Sequence, residues 1–175
     1  MKYIDEIQRG MDLLSQHGAI FVGQAIEYKG TGLTHQVKDY PKDQLLELPV
    51  AEEFQMGFCL GLALTGILPV SIYPRSNFAI LAANQIVNHL DKWEKMHGGT
   101  PKVIIKVAVG SSWPLDAGHQ HKANHAQAFS SMCDNINVVD LLYPHKIFAA
   151  YESAWESSIS TILFEHADLY QMETK

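Results

Sequence analysis

Cysteine is scarce. The chain of 175 residues has two, Cys59 and Cys133, and neither forms a C-x-x-C pair. That excludes a disulfide scaffold and a cysteine-rich zinc site, and it points to a reduced, cytoplasmic setting. Cys59 lies in an apolar run and is expected as a buried free thiol. Basic residues are few: 13 Lys and Arg stand against 19 Asp and Glu, for a net charge of −6. They are scattered along the chain, and a nucleic-acid surface needs a basic stripe, so no nucleic-acid partner is expected. Long hydrophobic runs are also missing. The longest, Phe58–Tyr73, is interrupted by Gly61, Gly66 and Pro69 and is too short to span a bilayer. The opening MKYIDEIQRGMDLL is amphipathic with early acids, unlike a secretory signal. Short catalytic signatures are lacking too. VGSSWP does not have the G-x-S-x-G spacing of a nucleophile elbow, and YKGTGLT holds a single G-x-G, neither a phosphate loop nor a dinucleotide fingerprint.

What is present is a globular composition, 47% hydrophobic and 18% charged, in one expected domain over residues 1–175. Ile4, Ile7, Met11 and Leu14 recur at helical spacing, and Gly18 stops that helix. Short apolar strands are expected at 19–22, 44–48, 68–73, 102–110, 136–142 and 160–166. Between them lie a loop over 23–43 and helices over 52–65, 78–96, about 123–133 and 143–155. The 52–65 segment is apolar on nearly every side and predicts a helix buried all round. Ala82, Ile86, Leu90 and Trp93 line one face of the 78–96 helix. Strands alternate with crossover-length helices. The pattern predicts an α/β, three-layer domain: a mostly parallel sheet of about six strands with helices on both faces. Ligands in such sheets bind beyond the carboxyl ends of the strands. Glu52, Phe78, the 111–121 loop and Pro144 all follow strands.

Two features carry candidate chemistry. Glu52 opens the 52–65 helix. It is either an acid complementing the helix N-terminus, worth about 0.3–1 kcal/mol, or a carboxylate in an apolar pocket where desolvation favours the protonated form. Spacing alone leaves both open. His119, His121 and His125 form an H-x-H-x-x-x-H array that could suit zinc. No acid or thiol stands close to them except Asp116, so solvated loop histidines and no metal are expected, or a single histidine acting as acid or base.

The ordered set LPVAEEFQMGFCLGLALTGILPV, NFAILAANQIVNHLDKWEKMHGG, NHAQAF, INVVDLLYP and ILFEHADLY, preceded by FVGQAIEYKG, resembles the pyrimidine-binding domain of thiamine-diphosphate enzymes. The likeness is nearest to the beta subunit of 2-oxoacid dehydrogenases and more distant to transketolase. It implies that Glu52 is the cofactor-activating glutamate, sharing a proton with the aminopyrimidine ring. It further implies that Phe78 contacts the pyrimidine, that Leu81 stands near the cofactor where many beta subunits carry a polar residue, and that His125, in HAQ, faces the substrate as acid or base. Arg75 and Ser76 replace apolar or aromatic neighbours of the pattern. The GDG signature that holds magnesium and the diphosphate tail does not occur in these residues. The resemblance therefore implies a diphosphate-binding alpha-type partner that binds Mg2+, a dimer of heterodimers, and carbon–carbon cleavage or ligation at a 2-oxoacid or ketose. Three rivals remain: a cofactor-free assembly or regulatory subunit of the same fold, a metal-dependent hydrolase built on the three histidines, and a simple ligand-binding α/β module that acts alone.

Overall fold

A computed structural model describes residues 1–28, 36–113 and 115–173. Helix α1, Tyr3–Gln16, buries Tyr3, Ile7, Met11 and Leu14 on one stripe. The Asp5 carboxylate accepts the Lys2 backbone N–H at 2.8 Å and closes the first turn. Gly18, at φ 76°, turns the chain out of the helix. Strand β1 (Ile20–Gly23) follows, then β2 (Leu45–Glu47), helix α2 (Glu52–Leu64) and β3 (Pro69–Tyr73). Next come α3 (Ser76–Leu81), a π-helical stretch over Asn84–Leu90, α4 (Trp93–His97) and β4 (Ile104–Val109). The chain continues through α5 (Ala126–Met132), β5 (Asn137–Leu141), α6 (Pro144–Glu156) and β6 (Thr161–His166).

The six strands form one sheet in the order β2-β1-β3-β4-β6-β5, every pair parallel. Parallel neighbours need crossovers, and the helices supply a cover on each face. Over one face, α1 and α6 enclose Tyr3, Ile7, Phe21, Ile104, Ile147, Tyr151 and Leu163. Over the other, α2, the π stretch and α5 enclose Met56, Cys59, Ile86, Ile105, Phe129 and Phe164. Cys59 is fully buried, as expected, and burial pushes its thiol up to about 12. No helix among the described residues is long and apolar enough to cross a membrane.

Helices α1 and α6 cross at Gly10. A Cβ built there would lie 2.3 Å from Cγ of Tyr151, so only glycine admits the ring. The two ends of the chain are sewn together nearby. The Tyr3 backbone N–H donates to the Met172 carbonyl at 2.7 Å, and the Tyr3 hydroxyl donates to the Leu141 carbonyl at 2.7 Å. Beneath this face the central strand carries a cation. Lys106 Nζ meets Glu165 Oε1 at 2.6 Å with both side chains almost wholly buried, and the Tyr170 hydroxyl donates to the same oxygen at 2.7 Å.

Two expectations are corrected. Helix α2 is not buried all round: Phe54 is 55% exposed and Leu64 51%. A segment apolar on every side avoids water on every side, but this chain covers only the face bearing Gln55, Met56, Cys59 and Leu60. The single helix expected over 78–96 is three pieces, because the π stretch inserts an extra residue per turn. Ala82, Ile86 and Leu90 still face the core. Of the loop expected over 23–43, residues 29–35 lie outside the described residues, as do all but Tyr28 of the single G-x-G segment.

Candidate active site

The strand order changes direction between β1 and β3. After β1 the chain moves out to β2, and after β3 it moves the other way, to β4. Such a reversal opens a crevice at the carboxyl edge of a parallel sheet. The residues just past these strands meet there. Gln24, the first residue after β1, donates through Nε2 to Oε1 of Glu52 at 3.1 Å. Tyr73, the last of β3, donates its hydroxyl to the Glu52 backbone carbonyl at 3.3 Å. One turn along α2, Gln55 Nε2 donates to Ser71 Oγ at 3.0 Å and to the Ile72 carbonyl at 3.1 Å, tying the start of the helix to β3.

The adjacent acids Glu52 and Glu53 therefore part company. Glu53 is exposed, and donors Asn84 at 2.8 Å and Gln85 at 3.4 Å hold its carboxyl below the usual range. It is a surface tie between α2 and the π stretch. Glu52 is 5% exposed and lies in the first turn of α2, where the helix N-terminus favours an anion. Its Oε1 is held by Gln24, and among the described residues Oε2 has no protein partner. Glu52 is thus both at the helix N-terminus and buried.

Helix α3 starts directly past β3 and packs between α2 and the turn at His119–His121. It carries Ser76, Asn77 and Phe78 in succession. Ser76 is fully buried, and its Oγ lies 2.8 Å from Nδ1 of His125 while accepting the His125 backbone N–H at 3.2 Å. Asn77 Oδ1 meets Nδ1 of His121 at 3.1 Å. The Phe78 ring is half-buried against the core, 5.5 Å from the His121 ring and inclined to it by 53°. Arg75 reaches across to the Gly110 carbonyl, and Asp168 accepts the Ser112 N–H at 2.7 Å, so the loop after β4 is pinned from both sides.

The structure sets His125, at the head of α5, against the short helix α3 that carries Phe78, beside the helix that Glu52 opens. Leu81 stands at the far end of α3, 58% exposed. The three histidines do not converge: His121 goes to Asn77, His125 to Ser76, and His119 is exposed. Among the described residues no group of three His, Cys, Asp or Glu could hold a metal ion. Reasoning from sequence missed Gln24 and did not find what Ser76 holds. Gln24 is signalled only by its place one residue past a strand, and Ser76 only by its departure from the resembled pattern.

Comparison with known proteins agrees with this fold. The family model described as the pyrimidine binding domain of transketolase matches residues 12–173. The pyruvate dehydrogenase E1 component subunit beta of Gracilaria tenuistipitata var. liui is 29% identical over 149 residues, 83% of this chain and 44% of that protein. Its counterpart from Chaetosphaeridium globosum is 30% identical over 148 residues, with the same shares. The chain thus spans less than half the length of these curated relatives. A structure described as split gene transketolase, inactive beta4 tetramer, superposes with a TM-score of 0.71 at 16% identity, covering 95% of this chain and 51% of that one, a likeness of fold. Its all-parallel sheet, its buried acid beside the reversal of strand order and this match along almost its whole length place the chain in the transketolase pyrimidine-binding domain family.

Proposed function

We propose that the chain is the pyrimidine-binding part of a split thiamine-diphosphate enzyme that cleaves or joins carbon–carbon bonds at a 2-oxoacid or ketose. The observation that carries this reading is the Glu52 carboxyl group: buried, steadied by Gln24 at one oxygen and, among the described residues, without a protein partner at the other. Such a group fits an aminopyrimidine, whose ring nitrogen needs a fixed carboxyl partner out of water. When bound, thiamine diphosphate supplies a nucleophilic carbon and an electron sink for breaking a bond beside a carbonyl. The chain's own share is positioning and proton handling. Glu52 would hold the proton shared with a bound pyrimidine at Oε2, Phe78 would lie against that ring, and His125 would serve as acid or base towards the substrate. Leu81 offers an apolar contact at the outer edge.

We assign the diphosphate and its Mg2+ to an alpha-type partner, as the similarity to E1 beta subunits suggests. Phe54 and Leu64 on α2, with Ile80 and Leu81 on α3, form the apolar surface that meets it in a dimer of heterodimers. The relatives named as E1 beta subunits, and the split transketolase whose beta tetramer is described as inactive, support a need for that partner. The test is Glu52→Gln in the assembled pair. Turnover is expected to fall at least a hundredfold with partner binding retained. Undiminished turnover would refute the catalytic assignment, and no detectable turnover from the wild-type pair on any 2-oxoacid or ketose would favour an assembly subunit.

A further inference from the structure

We infer that Ser76 is a positioning residue that locks His125 in the tautomer carrying its proton on Nε2. The inference rests on the reading of His125 as the acid or base of the site and specifies the form in which it works. Ser76 is fully buried, and its Oγ has two partners among the described residues: the backbone N–H of His125 at 3.2 Å and Nδ1 of the same residue at 2.8 Å. The backbone N–H can only donate, so it takes one lone pair of the oxygen. Among the described residues the hydroxyl hydrogen then has a single acceptor within reach, Nδ1. Were Nδ1 protonated, the hydroxyl would be left buried with its hydrogen unmatched, which proteins avoid. Nδ1 is therefore the bare nitrogen, and the proton sits on Nε2.

Asn77 imposes no such choice on His121, because an amide can present either its oxygen or its NH2 to a ring nitrogen. A serine wedged against its target's own backbone N–H has no second orientation. Among the described residues Nε2 of His125 has no protein partner, so it is the nitrogen left to face a bound substrate. In neutral His125 it is a hydrogen-bond donor. The geometry assigns His125 the donor's role towards an oxygen, rather than that of a base ready to accept a proton.

The tautomer is read on the full chain labelled with 15N-histidine, from the long-range couplings of the ring nitrogens to the carbon-bound hydrogens, with the His125 signals assigned by their loss in His125→Gln. One pyrrole-type nitrogen at Nε2 is expected, with Nδ1 of pyridine type. Ser76→Ala should give a mixture of tautomers, and Ser76→Thr, which keeps the hydroxyl, should restore the single form. A pyrrole-type Nδ1 in the wild-type chain, or an unchanged pattern in Ser76→Ala, overturns the inference. Neither result depends on turnover. A normal rate for His125→Gln in the assembled enzyme would strike the catalytic reading and leave the tautomer measurement standing.

Discussion

Gln24 and Glu52 stand 28 positions apart in the chain and 3.1 Å apart in space, one just past β1 and the other at the head of α2. The carboxamide is the only protein donor to the Glu52 side chain among the described residues. Gln24→Leu removes it without changing the size of the side chain greatly. Hydrogen bonds to charged groups contribute about 1.5–3 kcal/mol, so turnover of the assembled enzyme should fall roughly tenfold to a hundredfold. Steady-state kinetics beside a thermal melt checks this, and a melt shifted as strongly as the rate would point to a structural role alone.

The outward side of α2 yields a prediction about assembly. Phe54 and Leu81 are both more than half exposed, so charge placed there leaves the core intact. Phe54→Glu with Leu81→Glu should keep the wild-type circular dichroism spectrum and weaken binding to the diphosphate-binding partner by at least about tenfold, as expected when apolar anchors are lost from an interface. Sedimentation velocity of the mixed chains reads the outcome.

Gly10→Ala tests the crossing of α1 and α6. At an ordinary helix position the change stabilises by up to about 1 kcal/mol. Here the new methyl meets the Tyr151 ring, and overpacking of that kind costs about 1–3 kcal/mol. The urea midpoint should drop, so the sign of the shift decides between the two.

Lys106 and Glu165 form a fully buried pair, and removing one partner strands the other. Lys106→Met should destabilise the fold by about 3–5 kcal/mol, and adding Glu165→Leu should recover most of the loss. Denaturant titration of the three proteins measures both steps.

Buried thiols and phenols make the fold sensitive to alkali. Burial pushes Cys59 up to about 12 and Cys133 to about 11, from ordinary values of 9.0. It also raises Tyr3, Tyr40, Tyr73, Tyr151 and Tyr170 above the ordinary 10.0. In the unfolded chain these groups lose protons from about pH 9 upward, while the native state keeps them. The unfolded state then binds fewer protons, so stability is at full strength below about pH 9 and falls as pH rises above it. Urea midpoints at pH 8, 9.5 and 11 should decline in that order.

Much of the fold was legible in the chain because its signals are local. The apolar β-branched runs became strands within a residue or two of their expected bounds, and the stripe Ile7, Met11 and Leu14 lies buried as its spacing required. What could not be read depends on partners distant in sequence. Lys106 sits in KVIIKVAVG with nothing beside it to announce a carboxylate two strands later in the chain. Ala82, Ile86 and Leu90 keep to the core across the π stretch at Asn84–Leu90, so the hydrophobic pattern gives no sign of it. At the site, the position of Glu52 was visible as an acid entering an apolar run. Its setting was not, because Gln24 and Tyr73 reach it only once the sheet has formed.

The joining of Tyr3 to Met172 has a bearing on how the polypeptide is made. A ribosome releases α1 well before the groups that complete its surroundings, Tyr151 on α6 and the backbone near Met172. For most of synthesis the stripe of Tyr3, Ile7, Met11 and Leu14 therefore travels without its lid, and closure of that layer waits for translation to reach the residues near 172.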